Sequence, residues 1–355
     1  LSLFSMIKPL LRITTLCLLL LAIAGAWLLG FVHQHLDRPV NLIEEKSIVW
    51  SVDNGSSLSR VTRQLYKDNV ISHPRILSAY AKLSNRTSIQ AGSYRIEATD
   101  SARTLLDKFN RGEVILHKVT FPEGWSFKQW LSHLAKIKQF SDIANRDPDQ
   151  ILAAAGLDLA HPEGWFFPDT YSYSATDSVS DILVQAHGQM QRILERAWQA
   201  READLPYKTA YEALIMASII EKETGVTYER PEIAGVFVRR LQRGMRLQTD
   251  PTVIYGMGDA YKGNIRRKHL KQLTAYNTYR INGLPPTPIA MPSAAAIEAA
   301  LHPLPGSSLY FVARGDGSHY FSDSFAEHQR AVRQYQIKQR AQNYQSAPSK
   351  KQQSQ

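Results

Sequence analysis

Residues 13–32, ITTLCLLLLAIAGAWLLGFV, carry no charge over twenty positions, which is the length an α-helix needs to cross the apolar core of a bilayer. Lys8 and Arg12 lie just before this run, and the flank after it is mixed, with His33, His35, Asp37 and Arg38. The positive-inside rule therefore predicts a cytoplasmic N-terminus over residues 1–12, one transmembrane helix over 13–32, and the bulk of the chain on the far side. A cleaved signal peptide is the rival, because Ala24, Gly25 and Ala26 are small enough for a cleavage site. Apolar residues continue for six positions beyond Ala26, and the run exceeds a usual signal core, so retention as an anchor is expected. Cys17, the only cysteine, lies inside the run after Leu16 rather than after a small residue. A lipoprotein site is not expected, and no intramolecular disulfide can form.

A chain of 355 residues can bury a substantial core and suggests about two domains. Lys and Arg total 42 against 32 for Asp and Glu, a formal excess of +10. The positive residues are scattered, with local runs at Arg266, Arg267 and Lys268 and at Lys350 and Lys351. Such a balance suits a protein facing anionic lipid or an anionic polymer, and nucleic acid is not expected as a partner.

After a polar linker over 33–46, SIVWSV at 47–52 reads as a strand and NGSS as a turn. Residues 58–67 show a helical apolar pattern capped by Ser56 or Ser57, and 74–83 a second helix with Pro74 in its first turn. GSYRIE at 92–97 alternates like a strand. This strand, helix, helix, strand order resembles the LysM-like subdomain, a module that elsewhere binds glycans containing N-acetylglucosamine, and residues 47–114 are assigned to it. Residues 101–110 predict a helix and 114–121 a strand. Helices follow over 181–203, 213–223, 233–241, 297–302 and 327–340, with strands at 309–313 and 319–322. The expected fold is mixed, a small α+β unit followed by a larger α/β domain over 115–341. The polar residues 342–355 read as a disordered tail.

The chemistry concentrates in the second half. The apolar run ALIMASII at 213–220 ends at Glu221, and Ala210, Leu214, Ala217 and Glu221 share one helix face. Met216, Ile219 and Glu223 share a second, so periodicity leaves open which carboxylate is special. Burial and the negative end of the helix dipole both raise a carboxyl pKa there, as a general acid requires. No GxSxG, CxxC or HExxH is present and the eleven histidines are dispersed, so neither a metal nor another cofactor is expected. Carboxylates, amides, tyrosines and prolines remain, a set suited to glycoside chemistry. Most glycosidases use two carboxylates, and Asp250, Glu163 and Asp169 are available as partners for Glu221. PEGW occurs at 122–125 and again at 162–165; the second copy continues FFPDTYSYS, with aromatics that pack a core or line a sugar site.

IIEKETG at 219–225, RLQTDPTVIYGMG at 246–258, YNTY at 276–279, GLPPTPIAMPS at 283–293 and EGWFFPDTY at 163–171 together resemble the endolytic murein transglycosylase family, also called YceG-like. The resemblance implies a single-pass protein of the inner membrane, its bulk in the periplasm, that cuts within nascent peptidoglycan strands. The bond is the β-1,4 link from N-acetylmuramic acid to N-acetylglucosamine, and the product ends in 1,6-anhydro-N-acetylmuramic acid. By the family pattern the first Glu of EKET, Glu221, is the catalytic residue. Gln248, Asp250, Tyr255, Asn277, Thr278 and Tyr279 are candidate substrate-site residues, with Glu163, Asp169 and Tyr171 as weaker ones. One carboxyl suffices in principle, because the C6 hydroxyl of the same sugar attacks C1 and no water has to be positioned. Association with penicillin-binding peptidoglycan synthases is also implied. The alternatives are a hydrolytic muramidase using a second carboxylate such as Asp250, and a non-catalytic, membrane-tethered peptidoglycan-binding scaffold.

Overall fold

The computed structural model describes residues 3–42 and 45–338. It divides into two compact units, one of residues 1–117 with 172–177 and the other of 118–171 with the chain from 178 onward. The expected tail over 342–355 lies outside the described residues.

The first unit opens with α1 (Leu3–Asp37). Its segment Thr14–Asp37 is long and apolar enough to cross a membrane, and none of its most apolar stretch is buried within the protein. The residues read as a linker begin as the last turns of α1. Leu36 is buried in the core of this unit, and the Val40 N–H donates to the Asp100 carbonyl at 2.8 Å. That docking explains why Leu36 and Val40 interrupt the polar residues of this stretch.

Strand β1 (Ser47–Val52), helices α2 (Leu58–Lys67) and α3 (Pro74–Leu83), strand β2 (Gly92–Glu97) and helix α4 (Ala102–Arg111) complete the unit's body. Strands β1 and β2 pair antiparallel, with Trp50 opposite Tyr94. Leu65, Leu77, Tyr94, Ile96, Leu105 and Phe109 fill the core. Ser57, not Ser56, caps α2, accepting from the Arg60 N–H. Ser101 caps α4 in a reciprocal box with Thr104, and Gly112 ends it in the left-handed region at φ 67°.

Strand β3 (His117–Thr120), helices α5 (Phe127–Leu134) and α6 (Pro148–Ala154) and strand β4 (Thr170–Tyr173) lead into the second unit. It continues with α7 (Val179–Gln199), α8 (Ala210–Glu223), α9 (Arg230–Gln242), α10 (Asp250–Met257), α11 (Arg267–Lys271) and α12 (Ala294–Leu301). Strands β5 (Tyr310–Ala313) and β6 (His319–Ser322) and helix α13 (Phe325–Val332) close it. All sheets among the described residues are two-stranded. The chain is thus mixed helix and sheet, but the second unit is not the α/β layer expected from element order. Helix packs on helix there, and its four-residue strands pair only two by two.

Helix α8 organises this unit. Every residue from Ala213 to Ile220 is buried, the pattern of a helix apolar on all sides and surrounded by others. The small residue Ala217 on α8 and Ala296, Ala299 and Ala300 on α12 belong to one core cluster. Burying each large apolar side chain contributes about 1.5–3 kcal/mol. Ser218 is tolerated at zero exposure because its hydroxyl donates to the Ile215 carbonyl and accepts the Ile289 N–H. The polypeptide turns extended at Thr224, φ −140° and ψ 134°, which ends α8 at Glu223.

Candidate active site

The last turn of α8 carries Glu221 and Glu223, and the two side chains enter different surroundings. Both oxygens of Glu221 are occupied. Oε1 accepts from Arg230 Nη2 at 3.1 Å, and Oε2 accepts from the Ser293 N–H at 3.0 Å and the Ser293 hydroxyl at 2.5 Å. The Glu221 and Arg230 side chains are 6% and 7% exposed, and Glu123 lies 3.6 Å from the same guanidinium. Ser293 simultaneously caps α12 through the Ala296 N–H. Three donors, one cationic, meet the two oxygens of Glu221 and tie the end of α8 to α9 and α12.

Glu223 lines a cavity of about 570 Å³ together with Arg240, Gln248, Thr249, Asp250 and Tyr279. Burial pushes its carboxyl up to about 7, and the nearby charge of Asp250 adds to the rise, against the Thr249 hydroxyl bond and the His319 side chain. The Thr249 hydroxyl donates to Oε1; among the described residues no hydrogen-bond partner of Oε2 is found. Asp250, the first residue of α10, accepts from the Tyr279 hydroxyl at 2.7 Å. Tyr279 is raised as well, by burial first and then by Asp250.

Gln248 stands at φ 53°, a costly conformation for a residue with a side chain. Two bonds hold it there: its N–H donates to the Thr278 carbonyl at 3.2 Å, and its Oε1 accepts from Arg240 Nη2 at 2.6 Å. Arg240 is itself buried and spends Nε on the Arg246 carbonyl and Nη1 on the Leu309 carbonyl. Opposite, His319 on β6 is fixed by Glu229, whose two oxygens take its N–H at 2.9 Å and its Nδ1 at 2.8 Å.

Asn277 and Thr278, expected near the glycan, have no exposed surface. The Asn277 amide donates to the carbonyls of His269, Leu270 and Gln272 and its oxygen accepts the Tyr279 N–H. The Thr278 hydroxyl accepts the Thr249 N–H at 3.0 Å and bonds Thr252 at 2.8 Å. These residues form the strap that aims Tyr279 and Thr249, and buried atoms already committed to such bonds cannot meet a sugar.

The residues of the second PEGW copy go elsewhere. Glu163 is buried, its Oε1 accepting the Phe127 N–H at 3.0 Å and its Oε2 the Tyr255 hydroxyl at 3.1 Å. Burial outweighs both bonds and pushes its carboxyl up to about 7. Gly164, at φ 85°, could not bear a Cβ, which would fall 2.5 Å from Pro288. Tyr171 is buried with its hydroxyl on the Phe167 carbonyl at 2.6 Å, and Asp169 bonds Gln189 at 3.0 Å. Glu163, Asp169, Tyr171 and Tyr255 are absent from the Glu223 cavity lining. The first copy lies against α8: Lys222 donates to the Gly124 carbonyl at 3.1 Å, and the Gly124 N–H donates to the Met291 carbonyl at 2.8 Å.

The structure thus brings Gln248, Asp250 and Tyr279 together, but around Glu223 rather than Glu221. Sequence reading missed Thr249, Arg240 and His319. Thr249 lay inside a singled-out motif, RLQTDP; Arg240 and His319 give no signal in the sequence, because what recruits them is a fold contact.

A YceG-like family model matches residues 50–334. The chain is 30% identical over 333 residues to an endolytic murein transglycosylase of Bacillus subtilis, covering 89% of this chain and 91% of that protein. The protein of the same name from Streptococcus pneumoniae serotype 2 is 28% identical over 331 residues; 84% of this chain is covered but only 60% of that longer protein. A crystal structure of a YceG-like protein from Listeria monocytogenes superposes with a TM-score of 0.50 at 30% identity, covering 81% of this chain and all of that one. Together with the cavity at the end of α8, built by the IIEKETG, RLQTDP and YNTY segments, these matches establish that the chain belongs to the YceG-like family.

Proposed function

We propose that this chain is an endolytic murein transglycosylase, a lyase that cleaves the β-1,4 bond from N-acetylmuramic acid to N-acetylglucosamine within peptidoglycan strands. The reaction needs a group that is protonated at the start and a base at the end. Glu223 meets that need better than Glu221. In its neutral form it donates its proton to the departing glycosidic oxygen as the C1–O bond breaks. The resulting carboxylate takes the proton of the C6 hydroxyl as that oxygen closes on C1, giving the 1,6-anhydro end and returning Glu223 to its starting state. Intramolecular attack supplies up to roughly 7–11 kcal/mol through effective molarity. Asp250, bonded to Tyr279, is the negative charge nearest to hand for an oxocarbenium-like transition state, and Gln248 is a donor and acceptor for sugar hydroxyls.

The observation that carries this reading is the half-buried Glu223 carboxyl on the wall of a 570 Å³ cavity that it shares with Gln248, Asp250 and Tyr279. Mass spectrometry of the products from uncrosslinked strands tests it, through anhydro ends that vanish in Glu223→Gln. A second reading, a hydrolytic muramidase, is favoured by Asp250 beside Glu223 and would give reducing ends instead.

The finer placement is part of the same proposal: one membrane-spanning helix, the N-terminus in the cytoplasm, the two units in the periplasm at the inner membrane. The first unit would act as a LysM-like module alongside the strand. Cutting nascent strands would end their elongation, in association with penicillin-binding peptidoglycan synthases.

A further inference from the structure

Helix α10 has a second side. Asp250 at its start lines the Glu223 cavity, whereas Val253, Gly256 and Met257 line another, of about 520 Å³, whose far wall is Lys268, His269 and Gln272. One wall is apolar and the other polar and basic. Around it the segment KGNIRRKHLK at 262–271 places Lys262, Arg266, Arg267, Lys268 and Lys271 in solvent. The neighbouring acid, Asp259, is taken by Lys128 at 2.7 Å. Among the described residues no ion pair involves Arg266, Arg267, Lys268 or Lys271.

The back wall of this cavity is wired to the catalytic side. The Asn277 amide binds the three carbonyls of His269, Leu270 and Gln272, and the next two residues, Thr278 and Tyr279, bond Thr249 and Asp250. Gly256 lets the strap pass close: a Cβ there would lie 2.9 Å from Tyr276. A ligand seated behind α10 therefore bears on the segment that positions Tyr279.

We propose that the cavity between α10 and α11 is a subsite for the acidic peptide that muramic acid carries on its lactyl group. This deepens the reading of the chain as a murein transglycosylase and rests on it. Such peptides bear free carboxylates and small methyl side chains, which match Lys268 on one wall, with the exposed basic residues of 262–271 beside it, facing a wall of Val, Gly and Met. A neutral glycan alone would leave those charges unused. Contacts of this exposed kind set substrate capture and are weakened by salt.

The test uses the full chain in detergent with two substrates, uncrosslinked strands bearing their peptides and the same strands stripped by an amidase. The ratio of kcat/KM on bearing to stripped strands is compared between the parent and Arg267→Gln/Lys268→Gln. The expected result is a fall in that ratio of about tenfold, carried by KM and erased at high salt. Lys268→Glu gives a second, stronger perturbation on an exposed residue that folding does not need. An unchanged ratio in both variants overturns the subsite. Absence of anhydro ends from the parent on either substrate would instead overturn the transglycosylase reading, so the two failures are distinct.

Discussion

Glu221 and Glu223 are two residues apart on the same helix turn, yet they solve opposite problems. On one side of the α8 terminus a carboxylate is surrounded by donors from α9 and α12, its charge matched by Arg230. On the other side a carboxyl has the Thr249 hydroxyl and an open cavity, with a second acid, Asp250, nearby. The first arrangement favours structure and the second favours a proton held near neutral pH. Burial without a paired cation raises a carboxyl, as it does for Glu163 too; what sets Glu223 apart is the cavity its side chain faces.

Glu223→Gln breaks the comparison most severely if it is right. Turnover should fall by about 10²–10⁴-fold, the usual worth of a general acid and base, with the circular dichroism spectrum unchanged. Next in size is Glu221→Ala, which leaves the buried Arg230 with only the more distant Glu123 and should cost about 1–3 kcal/mol, read as a lower denaturant midpoint. Glu221→Gln, which keeps one acceptor for Ser293, should stay folded and retain cleavage within about tenfold.

The pH dependence sharpens the contrast further. The folded pKa of Glu223 is raised above its unfolded value of 4.5 to about 7, so the folded state binds the extra proton between those limits. Its contribution to stability is present at low pH and is lost as pH rises through about 7. Glu223→Gln should therefore be more stable than the parent above pH 7, by on the order of 3 kcal/mol, with the gain vanishing below pH 4.5. A variant that loses activity and gains stability is the signature of a strained functional group. The activity profile of the parent should fall on its alkaline limb near pH 7. Smallest of all, Tyr279→Phe should lower kcat by about tenfold through loss of its bond to Asp250, with little change in thermal midpoint because that bond lies at the cavity edge.

The same contrast explains what could be read from the residues beforehand. The apolar run into 213–220, the motifs that meet at the cavity and the caps at Ser57 and Ser101 follow from local pattern, and each has a local physical cause. The choice between the two carboxylates does not. Ser293 is 72 residues from Glu221 and Thr249 is 26 from Glu223, so nothing within a helix turn distinguishes them. Asn277 and Thr278 misled for a similar reason. Polar residues in a loop look available, and only the fold reveals that their atoms are consumed by the backbone of 249 and 269–272. Element order suggested an α/β domain without its strand topology, and the strands form two-stranded sheets while the small residues of α8 and α12 let helices pack directly.

The most direct test of the account is mass spectrometry of the products formed at neutral pH when the full chain and its Glu223→Gln and Glu221→Gln variants meet uncrosslinked peptidoglycan strands. The account predicts 1,6-anhydro-muramic ends from the parent and from Glu221→Gln, and intact strands with Glu223→Gln. Anhydro ends that persist in Glu223→Gln and vanish in a folded Glu221→Gln would contradict it.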